Sequence, residues 1–139
     1  MVALSPRTSP WWSMYVELPN LQLQKFHHKF RRRFRMPYEQ FLKVLEDMKD
    51  EELFCRWSNA CDAVGQQASP LELLLLGSLR YLGRGWTFDD LEESTAISEE
   101  THRQFFHVFI TWGSTKLFDA FVRMPQTAAS TYISIILVL

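Results

Sequence analysis

Five basic side chains near residue 30 have the type and spacing to bind phosphate. The run from Lys29 to Arg35 reads KFRRRFR and contains Lys29, Arg31, Arg32, Arg33 and Arg35. Clustered arginines bind DNA because each neutralised phosphate releases counterions, and the interleaved phenylalanines would anchor the helix beneath them. The same run is also typical of nuclear-localisation signals and of a solvated helix face that pairs with acids. The sequence leaves all three interpretations open.

A second candidate set for DNA contact lies in the opening turns of a predicted helix: Thr101, His102, Arg103 and Gln104. These are the positions at which a recognition helix meets base edges. Six acids nearby would repel the DNA backbone; they are Asp89, Asp90, Glu92, Glu93, Glu99 and Glu100. Acids at helix starts are equally favoured by the helix dipole. A three-helix core that reads no bases therefore explains the same residues.

Metal and nucleophilic chemistry are not indicated. Adjacent histidines point apart on a helix, and histidines five apart miss the spacing of three or four that places two ligands on one face. These pairs are His27 with His28 and His102 with His107. Cys55 and Cys61 lack a second pair, and no Ser or Cys stands in a nucleophile elbow. We expect no metal, no cofactor and no small-molecule substrate.

Three helices are predicted between Ser69 and Ile110, separated by two tight turns. Ser69 as the cap, Pro70 at the first helical position and Glu72 three residues after the cap predict the start of the first helix. Its apolar face consists of leucines at steps of three and four, namely Leu71, Leu74, Leu75, Leu79 and Leu82. Gly83 and Gly85 are expected to end it.

The second and third helices repeat the capping pattern. Thr87 with Asp90 predicts a short helix that holds Phe88 and Leu91, and Ser98 predicts a third that begins at Glu99. Aromatic residues would dock the third helix on the first, and they are Phe105, Phe106, Phe109 and Trp112. Three short helices in this order are the pattern of a helix-turn-helix unit.

The rest of the chain predicts further helices and two irregular ends. Residues 1–20 suit an irregular arm with aromatic anchors, because three prolines interrupt it. A helix is expected over Leu21–Arg35 with a stripe of Phe26, Phe30 and Phe34, and a second begins at Pro37 and buries Phe41, Val44, Leu45 and Met48. We also expect Leu53, Phe54 and Trp57 to be packed, a loop over 62–67, and an apolar face of Phe118, Phe121 and Val122. The fold class is all-α.

Composition bounds the class of protein. One domain fits 139 residues, and 47% hydrophobic residues with eleven Phe and five Trp allow a real core. The net charge of −1 hides +6 up to Arg35 and −7 beyond it. Two cysteines and no signal peptide indicate an intracellular protein. The final run YISIILVL is too short for a membrane helix.

Several segments in order resemble Harbinger-type (PIF/Harbinger) transposases. The first reads FHHKFRRRFRMPYEQFLKVLEDM and resembles that family's amino-terminal signature. The second runs from Asp62 to Ile110, where a Pro-Leu start opens a Leu-rich helix before the helix-turn-helix pair. The third, FDAFVRMP, resembles the segment that closes this block. Together they cover Phe26 to Pro125, roughly 100 of 139 residues.

The resemblance implies an amino-terminal transposase region over 21–125, between the arm of 1–20 and a divergent apolar tail of 126–139. In that family a nuclease domain with an Asp-Asp-Glu triad follows. The sequence after Pro125 contains no Asp or Glu. No catalytic residue is therefore assigned. We therefore expect a truncated, non-catalytic, nuclear or otherwise intracellular protein that binds DNA. The alternative is an interaction module that docks a Myb-like companion or a second copy of the chain. A third alternative is a part of such a nuclease that is inactive alone.

Overall fold

The all-α prediction is confirmed for the part of the chain that the computed structural model describes. That part comprises residues 5–17, 24–59 and 69–117 and the single positions 63, 65 and 67, and its regular elements are all helical. Six α-helices follow one another: α1 Gln24–Phe34, α2 Tyr38–Lys49, α3 Cys55–Ser58, α4 Leu71–Arg84, α5 Phe88–Thr95 and α6 Glu99–Trp112. Shorter helical turns span Pro6–Thr8, Trp12–Glu17, Glu52–Phe54 and Gly113–Leu117.

Helix α4 is the centre of the fold. It contacts α1 and α2, which precede it in the chain, and α5 and α6, which follow it. The sequence predicted one apolar face, but Leu73 and Leu76 lie outside that face and are fully buried as well. A helix that is covered by neighbours on several sides needs apolar residues all round. The LELLLL run is therefore explained by the central position of α4.

The three-helix unit is present, and two of its three predicted caps are confirmed. The Thr87 hydroxyl accepts a hydrogen bond from the amide of Asp90 at 3.1 Å, and the Asp90 carboxylate accepts one from the amide of Thr87 at 3.1 Å. The Ser98 hydroxyl accepts from the amide of Thr101 at 3.3 Å. Each of these bonds satisfies an amide that the first helical turn leaves without an intrahelical partner.

The predicted cap of α4 is wrong. The helix begins at Leu71 and its capping residue is Pro70, in an extended conformation with no side-chain cap. The proline carbonyl instead accepts from the amides of Leu73 and Leu74 at 3.1 and 3.2 Å. Ser69 thus lies one residue too early to cap. At the other end, Gly85 ends the helix as predicted, in the left-handed conformation with φ 68°, whereas Gly83 lies inside it.

The amino-terminal segment is more ordered than the prediction of an irregular arm. A 3-10 turn at Pro6–Thr8 leads into a π-helical turn at Trp12–Glu17. The buried Ser9 connects them, since its hydroxyl donates to the Pro6 carbonyl at 2.6 Å and accepts from the Trp12 amide at 3.3 Å. The predicted aromatic anchoring holds for Trp11 and Tyr15, which are buried.

Between α2 and α4 the predicted packing is partly confirmed. Phe54 and Trp57 are buried and pack with Phe105 of α6 at ring distances of 5.6 and 5.2 Å. Leu53 was expected to pack but is 55% exposed. In the short turn Glu52–Phe54 only one side faces the core, and Phe54 occupies it.

The remaining predictions fall outside the described residues. They concern the first three residues of the Leu21–Arg35 helix, most of the loop 62–67, the apolar face of Phe118, Phe121 and Val122, and the tail 126–139. Among the helices that the structure describes, none is long and apolar enough to cross a membrane.

Candidate functional site

Helix α1 has an aromatic side that fixes its orientation. Phe30 and Phe34 are buried, and their rings lie 5.9 and 5.0 Å from that of Tyr15. Phe30 also packs edge-on against Tyr38 of α2 at 5.1 Å. Aromatic pairs in these geometries stabilise by about 0.5–1.5 kcal/mol each beyond the burial of their area. The basic side of α1 is therefore held in one direction.

That basic side forms one wall of a cleft between α1 and α4. The residues of α1 that line it recur at helical steps of three and four, so they share one side of the helix. The cleft has a volume of about 530 Å³, and the described residues that line it are all basic: Lys25, His28, Lys29, Arg32, Arg33 and Arg80. No described carboxylate lines it. Charges of one sign along a concave wall with low dielectric focus the field and attract anions.

The cleft divides the basic run that the sequence singled out. Lys29, Arg32 and Arg33 line it, whereas Arg31 and Arg35 do not. Arg31 is exposed on a different side of α1. Arg35 follows the helix in the left-handed conformation, with φ 60°. The run is thus not one uniform cationic surface.

Arg33 and Arg80 connect the two walls. The Arg33 guanidinium donates to the Tyr15 hydroxyl. The Arg80 guanidinium donates to the Arg33 carbonyl at 3.0 Å and lies 4.5 Å from the centroid of the Trp86 ring. Trp86 in turn packs on Trp11 at 5.6 Å. These contacts place the Arg80 charge in the cleft before any ligand arrives.

Sequence reasoning missed Arg80, Lys25 and His28. Lys25 and His28 precede the dense run, although Lys25 lies four residues before Lys29 and His28 four before Arg32, so each shares a side of the helix with a residue of the run. Arg80 stands in a leucine-rich helix that was interpreted only as core. The signal that could have found it is a charged residue in the middle of this helix, flanked by Leu79 and Tyr81, because charged side chains are uncommon next to a core and are usually paired there.

The predicted recognition-helix set is not presented as a group. His102 is buried, with 2% of its surface exposed, so the expectation that it contacts a base is wrong. Arg103 forms ion pairs with Glu99, at 3.9 Å, and with Glu100. Gln104 accepts from Arg56 at 2.6 Å. The Thr101 hydroxyl lies 2.8 Å from that of Ser98. The outward side chains of this turn are therefore engaged within the protein.

His102 has a structural role in the turn between α5 and α6. The Thr95 hydroxyl donates to the Leu91 carbonyl at 2.7 Å and accepts from the Ile97 amide at 3.3 Å. Since its one proton is used, the Thr95 oxygen must accept from Nε2 of His102, which lies 2.7 Å away. Burial lowers the pKa of His102 from 6.5 to about 4, so the ring is neutral at pH 7.

Within the described residues, no group of three His, Cys, Asp or Glu side chains is placed to hold a metal ion. Cys55 is a free, exposed cysteine, and Cys61 lies outside the described part. Among the described residues, the basic cleft is an arrangement with an evident chemical capacity, since its cationic side chains can neutralise phosphate.

The chain was compared with known families, proteins and structures: no family model, no curated protein and no solved structure matches it. The relationship to Harbinger-type transposases therefore stays a prediction.

Proposed function

We propose that this chain is a non-catalytic helical module, derived from a Harbinger-type transposase, that binds DNA through its phosphates. The observation that supports this most is the cleft between α1 and α4, in which the described lining residues are all basic. The basic run contributes Lys29, Arg32 and Arg33 to the cleft. Lys25 and Arg80 enlarge the basic surface of the cleft.

The physical basis of binding is counterion release. Each phosphate that a Lys or Arg neutralises frees condensed cations. The logarithm of the affinity therefore falls linearly with the logarithm of the salt concentration, and the slope is proportional to the number of phosphates contacted. Because the aromatic side of α1 holds the helix in place, its backbone loses little conformational freedom when its basic side meets the DNA. Such contacts position a protein on DNA without reading the sequence.

The ordered resemblance over Phe26–Pro125 supports the transposase ancestry. Within that span the resemblance assigns no catalytic residue, which supports a non-catalytic role. The exposed Arg31 and Arg32 also keep the basic run accessible to an import receptor, which supports nuclear localisation. A fluorescent fusion should accumulate in the nucleus and lose that accumulation when Arg31 and Arg32 become Gln.

The DNA proposal is tested by the fluorescence anisotropy of a labelled duplex across a salt series. The cleft variant carries Lys29→Gln and Arg32→Gln. We expect its affinity to fall about tenfold or more and the slope of log affinity against log salt to shrink by about 2, one for each lost phosphate contact. Salt-independent binding by the unaltered chain would sink the proposal.

The matched control carries Arg31→Gln and Lys43→Gln. Both residues are exposed and neither lines the cleft, yet the change in net charge is the same. We expect this control to keep its affinity within about twofold, because Arg31 lies on a different side of α1 and Lys43 lies on α2, so neither makes the phosphate contacts of the cleft. Equal losses in both variants would show that net charge, and not the cleft, drives binding.

A second candidate function is an interaction module that docks a basic partner or a second copy of the chain. The observation that favours it is an exposed acidic set on α5, namely Asp89, Glu92 and Glu93. Charge complementarity of this kind speeds association and sets specificity. Light scattering of the purified chain, with and without these three residues changed to Lys, separates the candidates. A monomer at all concentrations that binds DNA favours the first.

A further inference from the structure

The α1/α4 cleft is a half-open concavity and not a flat helix face. An exposed helix face is enough to touch the phosphates of a duplex, because these phosphates lie on the outside of the double helix. The volume of about 530 Å³ lies instead in the range of sites that enclose small ligands, roughly 300–1,000 Å³. The described residues that line it are basic, and their aliphatic stems add apolar surface beside the charged ends. Its shape and charge together suit a compact, highly charged anion.

Arg80 is the best-positioned group to hold such an anion. One of its Nη atoms donates to the Arg33 carbonyl, and the Cζ atom of its guanidinium lies over the Trp86 ring, 4.5 Å from the ring centroid. These contacts hold the guanidinium charge in place at the cleft, and a guanidinium is the cation that binds phosphate oxygens most specifically in proteins. The side chain thus loses little freedom on binding. Lys29, which is exposed at the other wall, supplies a mobile charge.

We propose that this cavity is a binding site for a compact anion that bears two or more phosphate groups, and that Arg80 is its anchor. The chemistry is shared by consecutive phosphates of a nucleic-acid strand and by a free soluble polyphosphate. The site stands independently of the proposed DNA function, because it depends only on the cavity and its lining.

Isothermal titration calorimetry with inorganic tripolyphosphate tests the site. We expect saturable binding of one anion per chain, weakened at least tenfold by Arg80→Gln and about threefold or more by Lys29→Gln. Arg31→Gln, which removes the same charge outside the cavity, should change the affinity less than twofold. The absence of saturable binding, or an equal loss with Arg31→Gln, would overturn the proposal.

Arg80 also contributes to packing, so the fold of Arg80→Gln is checked by circular dichroism. If that variant unfolds, Lys29→Gln against Arg31→Gln decides alone, since both side chains are exposed. A larger loss for Lys29→Gln supports the site, and equal effects refute it.

A competition experiment distinguishes the phosphates of a nucleic-acid strand from a free polyphosphate as the bound anion. Labelled duplex DNA is bound first, and tripolyphosphate is then added at constant ionic strength. Release of the DNA supports the cavity as the place where backbone phosphates bind, whereas retained DNA with a saturated cavity supports a free polyphosphate. A chain that binds tripolyphosphate but no DNA would refute the proposed function and leave the cavity site intact.

Discussion

His102 shows how one buried side chain can link the stability of this fold to pH. Its neutral ring donates to Thr95 and lies against α4, where a Cβ added at Gly77 would come within 2.9 Å of the ring. A charged ring would lose its hydration in this buried contact. Burial therefore holds the pKa of His102 near 4, well below its ordinary value.

We predict that the free energy of unfolding falls as the pH drops from 6.5 to 4. In this window the unfolded chain binds a proton at residue 102 and the folded chain does not, so protonation favours unfolding. The difference between the two pKa values corresponds to about 3 kcal/mol. Below pH 4 both states are protonated at this residue and its contribution stops changing. Urea unfolding at several pH values measures the effect.

The control is His102→Gln, whose amide can still donate to Thr95 but does not titrate. Carboxylates also titrate in this range, so the difference between the two proteins isolates residue 102. The variant should lose about 3 kcal/mol less stability than the unaltered chain between pH 6.5 and 4. Equal slopes in both proteins would contradict the assignment.

At the scale of the elements, the helix starts separate what local sequence determines from what it does not. The capping box at Thr87 and the cap at Ser98 were predictable because every group involved lies within four residues. The start of α4 was not, since Ser69 and Pro70 both fit a helix start and only the extended conformation of Pro70 decides between them.

We predict that Thr87→Ala lowers the free energy of unfolding by about 1 kcal/mol, because the amide of Asp90 loses its partner. Ser69→Ala should change it by less than about 0.5 kcal/mol, as expected for a residue that does not cap. Chemical denaturation of both variants measures the contrast. Equal losses would mean that Ser69 caps α4 after all.

The contact between α4 and α6 depends on Gly77. A methyl group there would lie 2.9 Å from the His102 ring. We expect Gly77→Ala to destabilise the fold by about 1–3 kcal/mol through overpacking, which exceeds the gain in helix propensity of about 1 kcal/mol. In a His102→Ala background the same change should be neutral or stabilising. Denaturation of the four proteins gives the coupling, and additive effects would contradict this account of the contact.

The sequence predicted the classes and approximate bounds of the helices, but not how they are arranged around α4. Periodicity gave the buried sides of α1 and α2 because each has one covered face. It failed for α4, where Leu73 and Leu76 are also buried. The basic run was visible, whereas its partner Arg80, 47 residues from Arg33, depends on a tertiary contact. His102 was misassigned because spacing alone does not show which side faces the core.

At the scale of the whole molecule, two charged regions flank α4. The basic side of α1 faces the cleft, and the acids of α5 and of the start of α6 cap helices, pair with Arg103 or remain exposed. The two regions nearly cancel in the net charge of −1. A polyanion would be attracted to the first and repelled by the second. If the chain binds DNA as proposed, this distribution of charge favours an orientation with α1 toward the phosphates and with α5 and α6 away from them.

Chemical-shift mapping of the backbone amides during titration with duplex DNA tests this orientation most directly. The account predicts that the largest shifts occur at Lys25–Arg33 and at Arg80, with small shifts over Thr101–Gln104. Large shifts over Thr101–Gln104 with an unperturbed α1 would contradict it, because they would place the predicted recognition helix, and not the basic cleft, on the DNA.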